Sequence, residues 1–300
     1  MFTGCGTALV TPFQQDLSLD EQTLRRLVRR QIDAGINFLV PCGTTGESPT
    51  LTRAEHLRVV EITLEESRGK VPVVAGAGGY NTAEVINLAR ELQAMGMDGI
   101  LSVTPYYNKP TQEGLYQHYH AIAQSISLPI IVYNVPGRTG ANVEPTTLAR
   151  LAEFKNIVGV KEASGNVGQM ASVIQKVPED FIVLSGDDSL TLPLIALGGR
   201  GIISVVSNEI PAEMTRLTQF CLSNDFPAAR DLQRKYLPLM EINFIESSPI
   251  PVKAAMGLMG LLEPVWRLPM VPPGAQNLVK IRGVLESLHL LGTTHAAIAD

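Results

Sequence analysis

The chain has 300 residues, 45% of them hydrophobic and 18% charged, with a formal net charge of -5 and a pI of about 5.6. This is enough apolar content for a large core in one big domain or two smaller ones, and the acidic balance excludes an electrostatic footprint for nucleic acid or a polybasic membrane anchor. Cys5, Cys42 and Cys221 are too few and too far apart for a disulfide framework or a CxxC metal pair.

The N-terminal stretch MFTGCGTALVTPF lacks a basic leader region and meets Pro12. No apolar run reaches the ~18 residues of a bilayer span, so a soluble, cytoplasmic protein is expected. The first strand candidate is TALV after Gly6, and Asp20-Glu21 then opens a helix with Leu24, Leu27, Val28, Gln31 and Ile32 on one face, closed by Gly35. Arg25, Arg26, Arg29 and Arg30 belong to its solvated side. FLVP from Phe38 is the second strand, and the helix Thr52 to Ser67 carries Leu57, Val60 and Leu64. VPVVAG from Val71 is the third, followed by a helix from Thr82 to Met95 with Val85, Leu88, Ala89 and Leu92, stopped by Gly96. Five more runs complete the series: GILSVTP from Gly99, LPIIVYNVP from Leu128, IVGVKE from Ile157, FIVLSG from Phe181 and GIISVV from Gly201.

These runs are too continuously apolar for half-exposed antiparallel strands. About eight strand-and-helix units predict a (β/α)8 TIM barrel, with a doubly wound open sheet as the rival on pattern alone. Beyond Asn224 only helices follow, at Pro227 to Ile242, Pro251 to Leu262 and Gln276 to Leu290. The expected organisation is a catalytic barrel over 1–224 and a C-terminal helical annex over 225–300.

In a barrel, chemistry sits at the C-terminal ends of the strands. There the chain reads GTTGES, AGAGGY, TPYYNKP, YNVPGRTG, KEASG, SGDDS and SVVSN. Lys161 alone among the lysines ends an apolar strand. Such a lysine is either paired, here with Glu162 or a nearby aspartate, or kept dry as an amine able to attack a ketone and form a Schiff base. The strand pattern leaves the two level. Tyr133, Tyr106 and Tyr107 can give and take protons near an imine, although a tyrosine is commonly a packing residue. The backbone N–H groups of Gly43, Thr44 and Thr45 can cradle a carboxylate. Arg138 can bind a carboxylate at two points or brace its own turn. Asp187-Asp188 argues against phosphate after the seventh strand. Gly76-x-Gly78 has Asn81 where a dinucleotide fingerprint needs glycine, and His118 and His120, two apart on a helix, make no zinc pair.

Taken together, GTTGES at Gly43 to Ser48, TPYYNKPTQEGLYQHY at Thr104 to Tyr119, YNVPGRTG at Tyr133 to Gly140, GVKEASG at Gly159 to Gly165, LSGDD at Leu184 to Asp188 and PIPVK at Pro249 to Lys253 carry a resemblance. The chain resembles the dihydrodipicolinate synthase (4-hydroxy-tetrahydrodipicolinate synthase) family of pyruvate-dependent Schiff-base lyases. The resemblance implies condensation of pyruvate with L-aspartate 4-semialdehyde in the diaminopimelate route to lysine, without metal or organic cofactor. It implies that Lys161 forms the imine and Tyr133 is the central acid/base. Thr44 would link Tyr133 to a Tyr107 lent by a neighbouring subunit. Thr45 would hold the pyruvate carboxylate, Arg138 the semialdehyde carboxylate, and Gly186 and Ile203 would line the pocket. A homotetramer built from two tight dimers is implied.

Ser48, His56, Glu84 and Tyr106 match the positions of a lysine-binding regulatory site, while Arg53 and Tyr80 depart from the histidine and asparagine common there. A fixed charge and a bulky ring predict weak or absent lysine feedback. The rival readings are another pyruvate-imine lyase, such as an N-acetylneuraminate lyase or a 2-keto-3-deoxy sugar acid aldolase, and a non-catalytic oxo-acid sensor.

Overall fold

The computed structural model describes residues 2–291. Its strands are β1 Gly4–Ala8, β2 Phe38–Val40, β3 Val74–Gly76, β4 Gly99–Val103, β5 Ile130–Asn134, β6 Ile157–Glu162, β7 Ile182–Ser185 and β8 Gly201–Ser204. Helices α1 Glu21–Asp33, α2 Arg53–Ser67, α3 Thr82–Ala94 and α4 Gln112–Ser125 alternate with the first strands. A single turn, α5 Pro136–Thr139, and α6 Pro145–Leu151 follow β5, and then come α7 Val167–Lys176, α8 Thr191–Ala196 and α9 Pro211–Leu222. The chain ends in α10 Phe226–Ile242, α11 Ile250–Leu258 and α12 Ala275–Ser287.

Local chemistry sets the helix starts. The Asp20 side chain accepts from the Thr23 amide ahead of α1, and Thr52 and Glu55 form a reciprocal capping box on α2. All the strand pairings are parallel, in the order β2-β1-β8-β7-β6-β5-β4-β3. A single bridge between Leu39 and Val73 joins β2 to β3 and closes the cylinder. The barrel is therefore the architecture, and the open doubly wound sheet is excluded. Phe38, Val40, Val74, Leu101, Ile131, Leu184 and Ile203 fill its interior, while a larger apolar layer separates the strands from the surrounding helices.

Among the boundaries that differ from the sequence expectation, two have a clear local cause. β1 starts at Gly4 rather than in the TALV run, because Gly4 to Gly6 pair with Gly201 to Ile203. α11 stops at Leu258 instead of Leu262, since Gly260 takes a left-handed φ of 73° that turns the chain out of the helix. α10 packs on α8 and α9 and against α12, and α12 also packs on α11. Of the expected annex over 225–300, residues 292–300 lie outside the described residues.

Candidate active site

Lys161 and Tyr133 are register partners on the adjacent strands β6 and β5. The Lys161 Nζ lies 4.2 Å from the centroid of the Tyr133 ring, and the two residues are only 5% and 7% exposed. Among the described residues no carboxylate lies within ion-pair distance of this amine. Glu162, one residue on, faces away as strand alternation requires. It accepts instead from Asn134 Nδ2 (3.0 Å) and the Ser164 amide (2.8 Å). Lys161 is thus a dry amine against a phenol ring, and the ion-pair alternative is not what the fold builds.

Gly186 follows β7 and continues its ladder through its amide to the Glu162 carbonyl. A Cβ here would overlap the Ala163 methyl and come 3.2 Å from Lys161 Cε. The absence of a side chain at Gly186 is what leaves room for the lysine. Ile203, on β8, belongs to the same interior cluster as Tyr133 and Leu184. Below it Asp188 is buried and accepts from Ser204 Oγ and the Val205 and Val206 amides. Burial raises its carboxyl above the ordinary range, opposed by these hydrogen bonds and by the Lys161 charge. Burial likewise raises Asp187. Asp188 is a structural cap on the strand end.

After β2, the turn is closed by Gly46 N to Gly43 O (3.1 Å) and Glu47 N to Thr44 O (3.1 Å). These bonds leave the Thr44 and Thr45 amides unengaged among the described residues. Gly76, at the end of β3, donates to the Pro41 carbonyl, and a Cβ there would strike the Cys42 carbonyl oxygen. Only a glycine lets the third strand press against the turn. Arg138, on α5, is exposed, and its Nη2 donates to Ser248 O at 3.3 Å.

Two adjoining cavities connect Tyr133, the threonine turn and Arg138, and Lys161, Thr45, Gly186 and Ile203 lie behind their lining rather than in it. One of about 180 Å³ is bordered by Thr44, Tyr133, Ser48, His56, Gly76 and Tyr106. The other, about 240 Å³, is bordered by Thr44, Arg138, Val103, Tyr106 and Ser248. Both sit below the size of drug-like ligand pockets and suit small acids. A larger cavity, about 500 Å³, lies among the C-terminal helices around Leu258, Trp266 and Leu278, with Arg282 the one ionisable group among its described lining residues. Its described lining carries no nucleophile or acid.

Tyr107, in the β4–α4 loop, is 91% exposed at a φ of 70°. Of the expected regulatory residues, Ser48, His56 and Tyr106 share a cavity, and the Tyr80 ring meets Tyr106 edge-on at 5.2 Å. Arg53 and Glu84 instead border a separate surface depression. Arg53 is held by Glu91 at 3.0 and 3.2 Å, so the fixed positive charge that the sequence reading sets beside the ligand is balanced by a carboxylate. Burial, then the Arg53 charge, pushes the His56 imidazole down to about 4.

Sequence reasoning passed over Glu47 and Lys253, a wholly buried ion pair at 2.6 Å beside the threonine turn. The signal was present. Lys253 is flanked by Val252, Ala254, Ala255 and Met256 in an almost uncharged helix, leaving no polar face to carry it.

Among the described residues no helix is long and apolar enough to cross a membrane. The profile of the dihydrodipicolinate synthetase family matches residues 1–288. The chain is 54% identical over 282 residues to a 4-hydroxy-tetrahydrodipicolinate synthase of Koribacter versatilis, covering 94% of each. It superposes on the dihydrodipicolinate synthase of Thermotoga maritima with a TM-score of 0.95 and 47% identity, over 97% of this chain and 100% of the other. The enzyme from Acinetobacter baumannii, solved with pyruvate, gives a TM-score of 0.95 at 41% identity over 97% and 100% of the chains. Matched over nearly its whole length in sequence, and in a barrel that brings Lys161 against Tyr133, the chain belongs to the dihydrodipicolinate synthetase family.

Proposed function

We propose that this chain joins pyruvate to L-aspartate 4-semialdehyde, with pyruvate held as a Schiff base on Lys161. The observation that carries the reading is the buried, unpaired Lys161 amine over the face of Tyr133. An uncharged amine attacks the pyruvate ketone; water leaves as the imine forms, and loss of a methyl proton gives an enamine whose carbon attacks the aldehyde. Each step moves a proton. Tyr133 is assigned to carry it, a role supported by its ring lying 4.2 Å from the Lys161 Nζ, with Thr44 at the border of the same cavity. The unengaged amides of Thr44 and Thr45 are donors for the pyruvate carboxylate, and Arg138 fits the carboxylate of the second substrate.

Gly186 and Ile203 are assigned to the wall beside Lys161, a role supported by the close approach of Gly186 to the lysine chain and by Ile203 sharing the interior cluster of Tyr133. Tyr107 is assigned to the relay of a neighbouring subunit, a role supported by its exposed ring and left-handed backbone. A tight dimer is then the smallest active unit, in a homotetramer working in the cytoplasm. The sugar-acid lyase alternative gains no support from the relatives, which carry the synthase name.

The deciding experiment is borohydride reduction in the presence of pyruvate, followed by peptide mass mapping. An adduct on Lys161 is expected. No adduct, or one on another lysine, would refute the mechanism.

A further inference from the structure

Lys253 of α11 is fully buried, as is its partner Glu47. Its Nζ donates to Glu47 Oε1 at 2.6 Å and to the Thr11 carbonyl at 3.1 Å, and lies 4.4 Å from the Phe13 ring centroid. Thr11 Oγ1 in turn donates to the Gly46 carbonyl at 2.7 Å. Both tethers therefore end on the turn whose Thr44 and Thr45 amides are unengaged among the described residues. Glu47 sits at a φ of 51°, in the left-handed region where a non-glycine residue is strained. Its second oxygen accepts from the Arg267 amide at 3.3 Å, while the Arg267 side chain donates to the Thr50 carbonyl at 3.0 Å. At the head of the same helix, the Ser248 carbonyl receives Arg138.

Burying a complete ion pair is costly, and apolar side chains of similar volume commonly replace such a pair without loss of stability. Its use here is geometric. We infer that Lys253 is a positioning residue for the reaction: through Glu47 and Thr11 it fixes the threonine turn that binds the first carboxylate, while the start of its helix braces Arg138. The C-terminal helices thereby hold the two carboxylate-binding parts at a set separation. Burial lowers the Lys253 ammonium from its ordinary value, opposed by Glu47, as expected for a charge kept in place by one partner.

The inference rests on the proposed function, and the test separates the two. Wild type, Lys253→Met, Glu47→Gln and the double variant are compared as full-length protein. The measurements are KM for each substrate, the pyruvate dependence of borohydride trapping, and melting temperature. Each single variant is expected to raise the pyruvate concentration for half-maximal trapping, and the pyruvate KM, by roughly 10- to 100-fold. The semialdehyde KM should move far less, because Arg138 touches only the backbone at the helix head. The double variant should lose less than the product of the two single losses, the mark of a coupled pair. Variants that melt lower yet keep wild-type pyruvate dependence would reduce Lys253 to a structural part and overturn the inference alone. Should Lys253→Met fail to fold, Glu47→Gln, which keeps the side-chain shape and one acceptor, decides the question by itself. A wild-type protein that traps no pyruvate on Lys161 would overturn the function and the inference together.

Discussion

Replacing Gly186 with alanine adds one methyl group at the most crowded point beside the reactive amine. Gly186 does not occupy the left-handed region, so alanine meets no backbone penalty there and the effect is steric. The new methyl would overlap the Ala163 methyl by roughly 1 Å against the ~3.5 Å of ordinary carbon contact. It would also stand 3.2 Å from Lys161 Cε. The lysine chain can swing away, but the Ala163 methyl is fixed to the strand and cannot, so β6 and β7 must part. Overpacking of this kind costs about 1–3 kcal/mol, a fall in melting temperature of roughly 2–10 °C for a chain of this size. The larger effect is on chemistry. A displacement near 1 Å of a reacting group lowers rates on the order of 10²-fold, so pyruvate trapping by borohydride should slow by about that factor. Ala163→Gly in the same chain removes the overlapped methyl and should recover most of the rate. Trapping at the wild-type rate in the single variant, or no recovery in the double, would refute the assignment of Gly186 as the lysine's clearance.

Tyr107→Phe should lower kcat by roughly 10²-fold with an unchanged melting temperature, since the side chain is 91% exposed in one chain; undiminished turnover would remove Tyr107 from the relay. Two imidazoles should resist acid: burial pushes both His56 and His118 down to about 4. In the unfolded chain each takes up a proton near pH 6.5, so stability is full above that pH and declines as pH falls from 6.5 towards 4. Histidine ring resonances titrating near pH 6.5 in the folded protein at both positions would contradict this. Calorimetry with L-lysine should give a dissociation constant weaker than about 1 mM, the packed Tyr80–Tyr106 pair being the main obstacle now that Glu91 balances Arg53; micromolar binding would overturn that expectation.

The barrel was legible because each strand is buried on both faces, which turns it into a short, nearly unbroken apolar run bounded by glycine, proline or a helix start. Lys161 was legible for the same reason: a charge at the end of such a run stands out. Lys253 was not. A helix is normally read for a polar side, and a lysine in it is assigned to that side by default, whereas α11 is enclosed and its lysine points at Glu47 from 206 positions earlier. The pairing of Arg53 with Glu91 was hidden for a similar reason, being a contact between α2 and α3 that neither helix shows alone. Gly186 came from resemblance, and only the approach of Ala163 and Lys161 gives it a physical cause.

The single bridge between Leu39 and Val73 has a consequence for how the cylinder breathes. Seven strand pairs are laced by ladders, so the line between β2 and β3 is where the staves part most easily. The smaller of the two cavities straddles that line, with Cys42, Gly43 and Thr44 on one bank and Gly76, Ala77 and Gly78 on the other. A small acid seated there would add a further link between two strands that the backbone joins through the Leu39 amide to the Pro72 carbonyl and the Gly76 amide to the Pro41 carbonyl.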